Sequence, residues 1–262
     1  MQERHTNRRL YFDELANTSR EFYVDYLKRF KPLTTGMRIL EIGCGEGGNL
    51  LPFAERGCQV YGMDLNSEKI ECGKRFFAEQ GHSVSLLCQN FMNYTLADTA
   101  NDTFDIVLVH DVIEHIEPDM KTAFMQRVKY FMKPDGIAFF AFPAWQMPFG
   151  GHQQICKSRI SKIPYLHLLP EQLYKRVLND AHENQSTIED LINIRHSKMP
   201  VERFERLYKA TDFKLLHRQL WFINPHYKQK FHLKPRKQSI LMAHIPWLRN
   251  FVTTACFYLL QK

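Results

Sequence analysis

The run Glu41-Ile42-Gly43-Cys44-Gly45-Glu46-Gly47-Gly48 constrains the fold more than any other stretch of the chain. It follows a short apolar segment, residues 37–43 (MRILEIG), and precedes a helical one, residues 49–56. Glycines without Cβ atoms let a backbone turn sharply and press against a ligand. The helix beyond such a turn offers unpaired N–H groups at its start. A strand, a glycine-rich turn and a helix in that order predict an α/β fold with a ligand at the turn. Gly43, Gly45 and Gly48 also satisfy the GxGxxG spacing of dinucleotide sites, so the turn alone leaves the ligand open.

The rest of the front half repeats the alternation. Strands are predicted over residues 58–64 (CQVYGMD), 84–89, 104–110 (FDIVLVH) and 137–142 (IAFFAF), with helices over 67–80 and 118–132. Strands alternating with helices imply a parallel sheet covered on both faces, and nearly continuous apolar strands agree with burial on both sides. Before the first strand, apolar residues Phe22, Tyr23, Tyr26, Leu27 and Phe30 at helical spacing predict N-terminal helices over 8–30. Lys133-Pro134-Asp135-Gly136 reads as a turn, with proline setting it and glycine allowing positive φ. After Pro143 the rhythm breaks. Residues 144–200 are rich in Gln, His and Pro and show one clear helix near 170–179. Two strand-like runs, 214–223 and 253–260, are expected to complete the sheet as an antiparallel pair. The expected organisation is a helical segment over 1–35, a ligand-binding core over 36–143, an inserted lid over 144–200 and a sheet-completing part over 201–262.

Charge divides along the same line. Residues 1–149 hold 16 Lys+Arg against 20 Asp+Glu, whereas residues 150–262 hold 19 against 8 and carry eight of the twelve histidines. A basic back half fits either an anionic partner or a solvated face. The most apolar run, residues 251–260, is shorter than the ~20 apolar residues that span a bilayer. The opening residues do not read as a signal peptide. The six cysteines never form CxxC and do not read as disulfide or zinc partners; four of them fall in predicted strands or helices, where a thiol acts as a small buried hydrophobe. A cytoplasmic protein is expected.

Four segments in order, ILEIGCGEGGN, YGMDLN, FDIVLVHDVIEHI and MKPDGIAFFAFP, resemble the successive motifs of class I S-adenosylmethionine (SAM)-dependent methyltransferases over about residues 36–143. The resemblance implies a Rossmann-like, doubly wound, mostly parallel sheet and SAM as cofactor. It places Gly43 and Gly45 against the methionine and ribose part. Asp64 would stand on the ribose hydroxyls, Leu65 against adenine, Asn90 and Phe91 beside the base, and His110 on the methionine side. The family usually has Asp where Asn90 stands, so an uncharged amide would have to accept from the adenine amine. Some relatives hold a divalent metal in an acidic-x-x-Glu-His group like Asp111, Glu114 and His115. DxxEH is common in the family without any known metal, and no metal is assigned.

Transfer to a hydroxyl acceptor needs a general base. The candidate is His152, in Pro148-Phe149-Gly150-Gly151-His152, just after the last parallel strand, where such sheets place their crevice. The glycine pair reads as a hinge. Trp145, Phe149, Tyr165, Leu166, Leu168 and Leu169 are expected either to wall an apolar pocket or to form the lid's own core. The expected function is methyl transfer to a small-molecule, lipid-like or glycan-intermediate acceptor, and the basic half leaves an anionic acceptor open. The alternatives are an RNA methyltransferase, a nicotinamide-dependent oxidoreductase and a SAM-binding protein without catalysis. The nucleic-acid reading is disfavoured because no RNA-binding module or interleaved aromatic and basic pattern is present.

Overall fold

A computed structural model describes residues 7–97 and 102–262. Eight strands form one mixed sheet: β1 (Arg38–Ile42), β2 (Gln59–Asp64), β3 (Ser85–Cys88), β4 (Phe104–His110), β5 (Met132–Phe142), β6 (Lys214–Ile223), β7 (Arg236–Lys237) and β8 (Ala255–Gln261). Their spatial order is β3-β2-β1-β4-β5-β8-β6-β7. The first five are mutually parallel, and β8 enters antiparallel between β5 and β6. The expected α/β class and C-terminal antiparallel pair are therefore present.

Side chains alternate across the sheet as the strand period of two requires. Ile106 and Leu108 of β4 pack on one face with Phe12, Tyr23, Leu27, Phe53 and Phe77. These come from α1 (Arg8–Thr18), the turn after it, α2 (Val24–Leu27), α3 (Leu51–Ala54) and α4 (Ser67–Glu79). Val107 and Val109 pack on the other face with Phe124 and Val128 of α5 (Lys121–Tyr130) and with Phe204 and Tyr208 of α8 (Val201–Ala210). Between them in the chain lie α6 (Glu171–Asp180) and α7 (Gln185–Ser197). Helices α1 and α4 start on side-chain caps: Asn7 accepts from the Leu10 N–H and Asn66 from the Lys69 N–H, as N-caps do.

Several local expectations change. Residues 133–136 loop out of β5, between the Phe104–Met132 and Ile106–Ile137 pairs, as a bulge rather than a free turn. Gly136 has no positive φ; a Cβ there would crowd the Lys133 and Phe104 carbonyls. The 49–56 helix shortens to α3, preceded by a 3-10 turn, Gly48–Leu50. Helices α7 and α8 were not foreseen, although Ile188, Leu191 and Ile192, then Val201, Phe204 and Tyr208, stand at helical spacing. Residues 144–200 hold a small core of their own, built from Cys156, Leu166, Tyr174, Leu178, Ile188, Leu191 and Ile192.

Candidate active site

The sheet order reverses between β1 and β4, and parallel sheets bind ligands in the crevice beyond the C-terminal ends of strands at such a point. The β1 turn ends there. Gly43 and Gly45 take left-handed backbone, φ +69° and +55°, which side chains with a Cβ resist. The Gly45 N–H donates to an Asp64 carboxylate oxygen at 2.8 Å, and the Asn66 N–H donates to the other at 2.9 Å. The carboxylate is thus fixed against the glycine turn. Beside it, Leu65 is 73% exposed, an apolar side chain standing in water next to a held carboxylate. Asn90 follows β3, and its amide oxygen accepts from the Met92 N–H at 2.9 Å.

These observations fit a bound SAM. A Cβ added at Gly45 would meet nothing closer than Lys69 Cδ at 3.8 Å, so the turn leaves open space. Asp64 supplies an acceptor, Leu65 an uncovered apolar surface and Asn90 an amide. Phe91 is the exception. It is 6% exposed and packed between Phe124 and Phe131, and the Arg127 Nε donates to its carbonyl at 2.6 Å. Its ring anchors the loop after β3 to the core and is not free to touch the cofactor.

A second group lies beside the glycine turn. Here a cavity of about 370 Å³ is lined by Arg8, Tyr11, Glu46, Lys69, Asp111, Phe149 and His152, among others. Asp111 and His152 both hold left-handed backbone, φ 52° and 58°. Such conformations persist in non-glycine residues only where the surroundings enforce them, and they gather at functional sites. His110 ends β4 beside the cavity; its Nε2 shares a 2.9 Å hydrogen bond with the buried Tyr23 hydroxyl. Tyr23 reaches it because the first helix widens into a π-turn over Ser19–Tyr23, with the Ser19 hydroxyl donating to the Asn49 carbonyl at 2.7 Å. Burial raises the Tyr23 phenol well above its usual range, so it remains a neutral donor or acceptor.

Arg8, Tyr11 and Tyr23 were not among the expected site residues. Their signal was indirect: an amphipathic helix preceding β1 must pack somewhere, and it packs across the glycine turn. Arg8 spans Glu46 at 2.9 Å and Glu68 at 2.8 Å.

His152 faces the His115 ring, with centroids 4.9 Å apart. Burial, reinforced by His115, pushes the His152 imidazole down to about 4. Burial lowers His115 as well. Glu114, His115 and His152 bring one donor atom each within 4.8 Å of one another. Asp111 is not in that group, so the acidic-x-x-Glu-His set does not converge on one point. Both Glu114 oxygens are buried without hydrogen-bond partners, and burial raises this carboxyl well above its ordinary range. Lys121 steadies the same turn from below, its Nζ donating to the carbonyls of Ile113 at 2.6 Å and Ile116 at 2.7 Å.

The glycine pair before His152 is packed rather than free. A Cβ on Gly150 would strike the Trp145 carbonyl, and one on Gly151 would strike the His167 side chain. These glycines permit close packing and do not have the surroundings of a hinge. Of the aromatic and apolar residues after Pro143, Phe149 lines the cavity. Trp145 instead stacks edgewise on His167, and Leu166 joins the small core of residues 144–200.

Below the turn, Glu41 of β1 is 1% exposed and accepts one hydrogen bond, from Asn49 Nδ2 at 2.6 Å. Burial raises its carboxyl from an ordinary 4.5 to about 8. The folded state therefore binds more protons than the unfolded state across that window, and this group's contribution makes stability fall as pH rises through it. Glu41→Gln removes the titration. The variant's stability should gain on the wild type by at most about 1.4 kcal/mol per pH unit between these limits, read from thermal or urea unfolding against pH. Parallel pH curves would show that Glu41 is ionised in the fold.

A methyltransferase domain family matches residues 39–136. An uncharacterized protein of Rickettsia prowazekii is 29% identical over 163 residues, covering 60% of this chain and 64% of that protein. A ubiquinone biosynthesis O-methyltransferase of Idiomarina loihiensis is 34% identical over 106 residues, covering 40% of this chain and 42% of the enzyme. The chain thus spans less than two thirds of these relatives. The crystal structure of magnesium protoporphyrin IX methyltransferase from Synechocystis, with bound SAH, superposes with a TM-score of 0.55 at 11% identity, covering 94% of this chain and 83% of that one. At that identity the likeness concerns the fold. The domain match lies over the strand, glycine turn and Asp64 just described, so residues 39–136 carry a methyltransferase domain.

Proposed function

We propose that the chain transfers the methyl group of SAM to a small-molecule or lipid-like acceptor held in the cavity beside His110 and His152. The observation that carries this reading is a cavity set against the turn that holds Asp64. Gly45 bonds Asp64, and the next residue, Glu46, lines the cavity together with Lys69, Asp111 and His152. SAM, when bound, supplies a methyl group already activated by its sulfonium. The protein's part is to hold an acceptor atom in line with it and keep water out. Positioning of that kind contributes up to ~7–11 kcal/mol.

Besides Glu46, Lys69 and Asp111, the cavity walls include Arg8 and Tyr11 of α1, Phe149 and His152 of the 144–200 segment, and Tyr227 and Lys230 after β6. In this reading 36–143 is the cofactor core and 144–200 the lid. His152, neutral at physiological pH, would accept the proton of an acceptor hydroxyl held in the cavity. The relatives described as ubiquinone biosynthesis O-methyltransferases support a hydroxyl acceptor.

Calorimetry tests the cofactor directly. SAM and its demethylated product should bind in the micromolar range or tighter, and NADH should give no heat of binding. NADH binding without a SAM response would favour the oxidoreductase reading of the glycine turn.

A further inference from the structure

We propose that the chain docks on anionic lipid surfaces through the segment between β6 and β8. Residues 224–249 carry six Lys and Arg and no Asp or Glu. One of the six, Arg249, is buried between Glu202 and Glu205 at 2.9 Å each and serves the fold. Lys234, Arg236 and Lys237 are exposed. Directly after them the segment turns apolar side chains to water: Ile240 is 81% exposed, Leu241 78% and Trp247 59%.

This exposure is built in. Ile240 and Leu241 sit on α10 (Ile240–Ala243), which starts on a Ser239 side-chain cap. The Trp247 N–H donates to Glu202 at 3.0 Å. The next helix, α11 (Leu248–Phe251), is anchored by Asn250, whose side-chain oxygen accepts from the Val201 N–H at 2.8 Å. The backbone is thus tied to α8 while its largest apolar side chains point away. Exposed clusters of this kind mark interaction surfaces.

Charge and side-chain type select the occupant. Lysines and arginines beside exposed Ile, Leu and Trp match a surface with anionic headgroups above an apolar layer, and Trp favours that boundary. A second copy laid face to face would oppose like charges. A nucleic acid would use the cations but gives Ile240 and Leu241 nothing to bury against. The segment is also continuous with the site: Asn224, Tyr227 and Lys230 line the cavity, so a docked enzyme would hold that wall close to the lipid surface.

Co-sedimentation of the full chain with large vesicles tests this without SAM or acceptor, so it stands or falls apart from the transferase reading. Binding should be at least ~tenfold stronger to vesicles of phosphatidylcholine with phosphatidylglycerol than to phosphatidylcholine alone, and should weaken with salt. The I240S/L241S and K234E/K237E double variants alter exposed positions and should keep SAM binding, yet each should lose about tenfold or more in vesicle affinity. Equal binding to both vesicle types, no binding, or wild-type affinity in both variants would overturn the proposal. So would failure to sediment with vesicles combined with tight, salt-sensitive binding of a single-stranded RNA oligonucleotide that survives I240S/L241S; that result would assign the basic surface to nucleic acid.

Discussion

Asp64→Ala should lower SAM affinity at least tenfold. The carboxylate is held by the backbone of Gly45 and Asn66, which aims it at the end of β2 without consuming all of its lone pairs. In the assigned role it accepts from both ribose hydroxyls, and each hydrogen bond to a charged group contributes ~1.5–3 kcal/mol. Asp64→Asn keeps shape and some accepting capacity, so it should fall between wild type and alanine. Calorimetric titration with SAM reads the effect, and thermal unfolding of the cofactor-free variants controls for disturbance of the turn. Unchanged affinity in a folded Asp64→Ala protein would place the ribose elsewhere.

His152→Ala should leave SAM affinity nearly unchanged and lower turnover about 10²-fold or more, the scale of losing a general base. His152 lines the cavity, whereas Asp64 and Leu65 are not among its lining residues, which is why binding and turnover should separate. The low imidazole value, about 4, sets the pH dependence. A base works while unprotonated, so activity due to His152 is present above that value and is lost as pH falls through it. The wild-type profile should lack an acid limb near the ordinary histidine value of ~6.5. A limb there that disappears in His152→Ala would mean that the ring is better solvated than its packing against His115 implies. Full turnover in the variant would leave the lid a positioning role alone.

The meeting of the glycine turn and Asp64 was legible in the sequence because it rests on local patterns. A glycine turn after one strand and a carboxylate ending the next are local patterns, and parallel pairing of β1 with β2 puts Ile42 opposite Met63 and so brings the turn to Asp64. Phe91 misled because adjacency to Asn90 says nothing about side: the chain turns at Asn90, and the next ring goes into the core. The cavity was only partly legible. His152 was placed near it by its position after β5, but Tyr11, Tyr227 and Lys230 reach the cavity from both ends of the chain, and Tyr23 reaches His110. Tyr23 depends on a π-turn that no residue pattern announces. Gly150 and Gly151 looked like freedom and turned out to be tight packing, a distinction that rests on Trp145 and His167 being folded over them. Helices α7 and α8 had readable periodicity, obscured by the Gln, His and Pro content around them.

Transfer of labelled methyl from SAM tests the central claim most directly. The full chain would be incubated with methyl-labelled SAM and cell extract separated into lipid, small-molecule, nucleic-acid and protein fractions. The account predicts label in the lipid or small-molecule fraction, with stoichiometric release of demethylated cofactor and about 10²-fold less label with His152→Ala. Label confined to RNA, or no label in any fraction from protein that binds SAM tightly, would contradict it.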